Sequence, residues 1–239
     1  MTESPSPAPG RRKRRILGLD DRQRQAQRRT LLLDAALELF GTRGYAKSSI
    51  ELLCQTAGIG TNSFYELFPN KEAVLIGLYD RLSQDLRQAI AEEYVAHQHD
   101  PRLIRALVSR FVHGALDDPR VARVAFIESA GVSAQVEEHR RQTRNDFVDG
   151  LQAIGREIRA TNGASAPVDE QHRPGPNPRR NAVAIVGAII ETTVDWLLDP
   201  DPDPIDDLID DIAHHCERVM KAIIQESTTS NPELRKTSH

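Results

Sequence analysis

Thr61, Asn62 and Ser63 place three short hydrogen-bonding side chains in a row, directly after Gly58-Ile59-Gly60 and directly before Phe64. Hydroxyl and amide groups of this reach suit base edges and phosphate oxygens. A helix that starts on them also aims its unpaired N–H groups at anions. The competing chemistry is metal ligation by Asp210, His214, His215 and Cys216 near the other end of the chain. Adjacent histidines on a helix point about 100° apart and do not converge on one ion. No His-Glu-x-x-His pair, Walker glycine loop or nucleophile elbow occurs in the sequence. The side chains therefore point to binding: no enzyme, no catalytic residue, no cofactor and no metal is expected, and a metal-dependent enzyme is a distant third reading.

Presenting Thr61 to Ser63 requires a short helix held by others. Residues 48–71 read SSIELLCQTAGIGTNSFYELFPNK, two short helices joined by a glycine turn. Ser48 is expected to cap the first, with Glu51 reaching back in a capping box. Ile50, Leu53 and Cys54 share its apolar face. Gly58 is expected at positive φ, where a sharp helix stop needs glycine. The second helix is expected from Thr61 to Phe68, with Phe64, Leu67 and Phe68 inward and Pro69 ending it. Upstream, Leu32, Ala35, Ala36, Leu39 and Phe40 make an amphipathic helix that ends at Gly41 and Gly44. This is the layout of a helix-turn-helix, whose second helix is free to enter a DNA major groove.

The run Ala35-Ala36, Leu39-Phe40, Gly44-Tyr45, Ser48-Ser49-Ile50, Ala57-Gly58-Ile59, Phe64-Tyr65, Phe68-Pro69-Asn70-Lys71-Glu72 and Leu75 resembles the DNA-binding domain of the TetR (tetracycline-repressor) family. The resemblance covers roughly residues 25–80; the helical remainder matches in architecture. It implies a homodimeric, ligand-responsive transcription factor on a palindromic operator, usually a repressor released by a small-molecule inducer. Carried over by position, it implies that Ser48 and Tyr65 contact phosphates. It sets Thr61, Asn62 and Ser63 at base edges and Lys71 at the DNA backbone. Gly60 stands where the family often has a capping serine, and Thr61 where a basic residue is common.

Charge is divided along the chain. Residues 1–70 hold 11 Lys and Arg against 7 Asp and Glu, and residues 71–239 hold 20 against 28. An acidic body repels DNA and leaves one basic end to bind it. A non-specific architectural DNA binder, the alternative reading, would spread basic charge throughout. The block Arg11-Arg12-Lys13-Arg14-Arg15, continued by Arg22, Arg24, Arg28 and Arg29, reads as an arm on phosphates or in a minor groove, with Arg14 and Arg15 as candidates. Two cysteines give no disulfide framework. No signal peptide and no run long enough to span a membrane are read, so the expected location is cytoplasmic.

The expected fold class is all-α, with about nine helices. A disordered arm is expected over residues 1–24, the helix-turn-helix domain over 25–72, a helical ligand-binding and dimerisation domain over 73–226, and a disordered tail over 227–239. A helix from Lys71 carries Leu75, Leu78, Leu82, Leu86 and Ile90 and is the natural link between the two functions. Asp117-Asp118-Pro119 opens a later helix. A long one spans about 133–160, with Glu137 expected to pair with Arg141. Residues 161–178, rich in proline and glycine, read as a loop. The last two helices, with Ala184, Gly187 and Ala188 in one and an Ile/Leu stripe in the other, are expected to form a two-fold homodimer interface. A ligand pocket between helices is expected to draw on Phe111, His113, Phe126, Glu128, Glu191 and Trp196. Glu128 has Arg123 and Arg110 as alternative partners.

Overall fold

The computed structural model describes residues 10–161 and 177–229. Every regular element among them is helical, in the order α1 (Gly10–Thr42), α2 (Ile50–Ala57), α3 (Thr61–Leu67), α4 (Lys71–His97), α5 (Leu103–Leu116), α6 (Pro119–Ala122), a π-helical turn (Arg123–Glu128), α7 (Ala134–Thr161), α8 (Pro178–Leu198) and α9 (Ile205–Thr229). The chain divides into two compact units within α4, between Tyr79 and Asp80.

In the first unit the apolar face of α1 does what its spacing predicts. Leu32, Ala36 and Phe40 are fully buried with Leu53 of α2, Phe64 of α3, and Val74, Leu75 and Leu78 of α4. Each large side chain so enclosed contributes about 1.5–3 kcal/mol. Gly77 lets α4 approach, because a Cβ there would stand 2.9 Å from the Phe68 ring. α1 begins at Gly10, so the arm expected over residues 1–24 differs from the structure where it overlaps this helix. The Arg, Lys, Gln and Leu residues between Arg11 and Arg29 are good helix formers, with no proline among them. α9 runs to Thr229, so the tail expected over residues 227–239 differs from the structure in its first three residues; residues 1–9, 162–176 and 230–239 lie outside the described residues.

The second unit is built on a cluster of Val108, Phe111 and Val112 from α5, Ile185 from α8, and Leu208, Ile209, Ile212 and Cys216 from α9. A smaller cluster joins Val148 of α7 to Ala182 and Val186 of α8. Gly114 closes the α4–α5 packing, where a Cβ would lie 2.7 Å from Leu86. Arg105 ties α5 to α9 through Asp210 at 2.6 Å and Asp206 at 3.5 Å. Asp118 caps α6 with Pro119 in its first turn, as expected. Asn177 caps α8 by accepting from Arg179 N–H at 3.0 Å and Arg180 N–H at 3.3 Å. The pairs on α7 differ from expectation: Glu137 meets Arg140 and Glu138 meets Arg141, each one residue closer than the expected spacing of four. Among the described helices α8 has the length and composition to cross a membrane, yet 22% of that stretch is buried against the rest of the chain. An apolar helix this lightly covered has a face left for another surface.

Candidate DNA-binding and ligand-binding sites

The helix-turn-helix is set by three local devices. Ser49, not Ser48, is the N-cap of α2, and its hydroxyl accepts from Leu52 N–H at 3.2 Å. Glu51 sits one residue too early for a capping box. Its carboxyl is held below the usual range by its own backbone N–H, then by the Ser49 hydroxyl. Ser48 is 1% exposed, and its hydroxyl donates to Gly44 carbonyl at 2.8 Å. The phosphate contact implied for its side chain is therefore not available in this arrangement. Gly58 stops α2 at φ 66°, its N–H turned back to the carbonyls of Cys54 and Gln55.

α3 follows at once. Gly60 occupies its N-cap without a side-chain hydrogen bond. Burial pushes the Cys54 thiol up in pKa, and a hydrogen bond from the neighbouring Thr61 side chain works against that rise. Thr61 and Asn62 are exposed, Ser63 is half-buried, and Tyr65 is 56% exposed, its ring edge-on to buried Phe64 at 5.3 Å. Four of the residues expected to face DNA thus lie on α3 as a surface of small polar groups and one phenol. From α1, Arg28 donates to Ser63 Oγ at 3.4 Å and meets Glu66 at 3.5 Å, and Arg29 lies 4.4 Å over the Phe68 ring. These two arginines, read from sequence only as part of a basic arm, hold α3 and the residue after it against α1. Nothing in their spacing could reveal partners so far along the chain.

Lys71 is also a positioning group. Its ammonium donates to Tyr45 carbonyl at 2.8 Å and stands 4.1 Å over the Tyr45 ring. Burial holds its pKa below the ordinary lysine value. The cation implied for the DNA backbone thus also braces the turn that carries α2. The side chains of Arg14 and Arg15 lie outside the described ones.

In the second unit, a cavity of about 460 Å³ opens between α4, α5, α7, α8 and α9. Its walls are largely apolar, with Ile90, Leu107, Phe111, Phe147, Ile154 and Ile189 prominent. That volume lies in the range of about 300–1,000 Å³ usual for small-molecule sites. Its polar groups come in pairs. Arg87 meets Asp146 at 3.4 Å and sits 5.8 Å from the Phe147 ring. The Tyr94 hydroxyl donates to Glu157, which with burial pushes the phenol pKa up.

Of the six ligand candidates read from sequence, Phe111 lines this cavity, edge-on to Phe147 at 6.1 Å. The other five do not. His113 faces a separate polar cleft and meets Asp117 at 2.9 Å. Phe126 is half-buried in the π-helical turn, where Glu128 pairs with Arg123 at 2.8 Å. Glu191 is exposed. The Trp196 indole N–H donates to Asp203 carbonyl at 2.8 Å while its ring packs on the main cluster. Arg87 and Tyr94 of α4 and Phe147 and Glu157 of α7 were missed, since only the fold brings the two helices together. At the candidate metal group, His214 and His215 are exposed and Cys216 is buried, its thiol pushed up to about 11 by burial.

Comparison with known proteins locates this architecture. Residues 32–78 match the family model of bacterial regulatory proteins of the tetR family. The fatty acid metabolism regulator protein of Bacillus subtilis strain 168 is 25% identical over 176 residues, covering 70% of this chain and 82% of that protein. The transcriptional regulator EthR of Mycolicibacterium smegmatis is 34% identical over 115 residues, 48% of this chain and 50% of that one. The FadR regulator from Bacillus subtilis in complex with stearoyl-CoA aligns with a TM-score of 0.62 at 19% identity, over 77% of this chain and 95% of that one. The fatty acid degradation regulator FadR from Bacillus halodurans aligns with the same TM-score of 0.62 at 16% identity, over 78% and 93%. These two structural likenesses carry the fold. Both of these sequence relatives bear the name of a regulator.

Proposed function

We propose that this chain, a DNA-binding transcriptional regulator of the TetR family, is a homodimeric repressor released from a palindromic operator by an apolar acyl ligand. One pairing of features carries the reading. The first unit presents a short helix of exposed polar residues, and the second unit holds an apolar cavity whose polar groups are few and paired. Thr61 and Asn62 read base edges, with Ser63 held beside them by Arg28, and Tyr65 meets a phosphate. Arg14 and Arg15 add phosphate contacts. Ser48 and Lys71 hold the reading helix in place.

The acyl class is supported by the apolar walls and by the Bacillus subtilis FadR relative, whose structure is in complex with stearoyl-CoA. A two-fold pairing through α8 and α9 is supported by the lightly covered apolar surface of α8, where Val183 is 47% exposed beside Ala184 and Gly187. One seven-residue helix reads too few bases for a specific site, and a symmetric pair reads two half-sites. α4 connects the two functions covalently: Lys71 stands in its first turn, and Arg87, Ile90 and Tyr94 line the cavity further along. A regulator of this kind works in the cytoplasm.

The test starts with selection of bound fragments from genomic DNA, which yields the operator. Operator affinity is then measured with and without palmitoyl-CoA. Ligand and operator should weaken each other's binding by the same factor, about 5- to 150-fold. Equal operator affinity with and without acyl-CoAs of every length tested would refute release by this class. Affinity for bulk genomic DNA equal to that for the selected sites would favour the architectural alternative.

A further inference from the structure

Asn181 stands in the first turn of α8 and lines a second cavity of about 300 Å³, with Leu151, Gln152, Arg156, Ile185 and Met220 among its neighbours. Leu151, Ile158, Ile185 and Met220 wall both this annex and the larger apolar cavity. The Asn181 Nδ2 is buried and has no hydrogen-bond partner among the described residues. A buried donor left without an acceptor costs stability, and proteins avoid it. Other buried hydroxyls of this chain are satisfied: Thr193 donates to Ile189 carbonyl at 2.7 Å and Ser129 to Ala125 carbonyl at 3.0 Å. The other such atom, Arg140 Nε, belongs to a guanidinium already held by Glu137 at 3.1 Å. A leucine would fill the space beside Asn181 without leaving an unpaired N–H.

The polar groups around the larger cavity are already engaged, Arg87 with Asp146 and Tyr94 with Glu157. An acyl chain in the larger cavity would bring with it one strong acceptor, the acyl oxygen, and the annex holds one buried unpaired donor. We infer that the Asn181 side-chain amide is the polar anchor of the ligand site, donating from Nδ2 to the carbonyl oxygen of an acyl ligand whose hydrocarbon chain fills the adjoining cavity. The inference rests on the acyl reading above and adds the residue that recognises the acyl group. The neutral amide N–H can donate to a thioester carbonyl or to a carboxylate oxygen, and of the two only the uncharged thioester needs no counter-charge in an apolar setting.

The experiment measures binding of palmitoyl-CoA, palmitic acid and S-hexadecyl-CoA to the full chain and to Asn181→Leu and Asn181→Ala. The thioether S-hexadecyl-CoA has the chain and the nucleotide but no carbonyl. The unsubstituted protein should prefer palmitoyl-CoA to the thioether by about tenfold, the usual worth of one such hydrogen bond. Both variants should lose that preference while binding the thioether as well as before. The free-acid arm tells a thioester anchor from a carboxylate anchor by which ligand loses affinity. Thermal unfolding of Asn181→Leu should be unchanged or raised, since an unpaired donor has gone; Asn181→Ala repeats the comparison with a smaller side chain. A tenfold preference that survives in both variants overturns the anchor, as does equal binding of all three ligands by the unsubstituted protein. If the unsubstituted protein binds none of them, the acyl reading falls and the anchor with it.

Discussion

Replacing Lys71 by methionine separates two roles for the same side chain. The change keeps most of the apolar stem and removes the ammonium. In the structure that ammonium makes one charge-assisted hydrogen bond to Tyr45 carbonyl, at 2.8 Å, and one cation–π contact at 4.1 Å. The first is worth about 1.5–3 kcal/mol and the second about 0.5–1 kcal/mol near a surface. Lys71 is half-buried, so screening reduces the sum, and a loss of about 2 kcal/mol follows. In a chain of this size that lowers the thermal midpoint by about 4–8 °C. The turn from Gly44 to Ser49 then loosens, and α2 with it, so operator affinity falls. The salt dependence of binding should not change, because no phosphate contact has been lost. A lysine on a phosphate would instead reduce the slope of log affinity against log salt by about 0.9 per protomer, or about 1.8 for a dimer on its operator. Arg14→Gln with Arg15→Gln is the positive control, expected to flatten that slope by up to about 3.6 for the four side chains of a dimer while leaving the midpoint in place. A shallower slope for Lys71→Met, with its thermal midpoint unchanged, would refute the positioning role.

The remaining expectations concern the turn, the cavity and acid stability. Gly58→Ala should cost about 1–2 kcal/mol, since φ 66° is strained for a residue with a Cβ; an unchanged thermal midpoint would contradict this. Ile154→Trp should fill the cavity, keep operator affinity and abolish release by palmitoyl-CoA; full release would show that the ligand binds elsewhere. The Glu137 carboxyl is held below the usual range chiefly by Gly131 N–H, with help from Arg140. A lowered native pKa means that this contact stabilises the fold above the ordinary glutamate range, and the contribution drains away as pH falls through the native value. Glu137 is partly exposed, so screening trims the contact; Glu137→Gln should therefore cost no more than about 0.5 kcal/mol near neutral pH and flatten the loss of stability as pH falls through and below the ordinary glutamate range. Urea denaturation at neutral pH and at successively lower pH checks it, and a variant with the unsubstituted protein's full acid slope would count against it.

What could be read without coordinates was whatever is decided locally. The glycine at 58, the polar triplet at 61–63 and the apolar residues at spacings of three and four all act within one or two turns of helix. Their consequences appear where expected: Gly58 at positive φ, Phe64 and Leu75 sealed, Thr61 and Asn62 outside. Errors of one residue followed where two neighbours competed for a job. Ser48 and Ser49 can each cap a helix, and the choice falls to Ser49 because Ser48 is drawn inward to Gly44. The bracing role of Lys71 was hidden for a different reason. A lysine in a first turn advertises a charge, and only the fold puts Tyr45 beneath it. The ligand site was the least legible part. An amphipathic stripe says which side of a helix is covered, but not where the covering helices leave a gap. That gap is set by the sum of side-chain volumes from α4, α5, α7, α8 and α9, more than a hundred residues apart, and no single residue type marks it. Trp196 and Glu128 were plausible because they are large or charged near apolar runs, yet each is spent on a neighbour, Asp203 and Arg123. Tyr94 and Asn181 carry no comparable signal in sequence. They matter because one is paired at the cavity and the other is left with a donor and nothing to give it to.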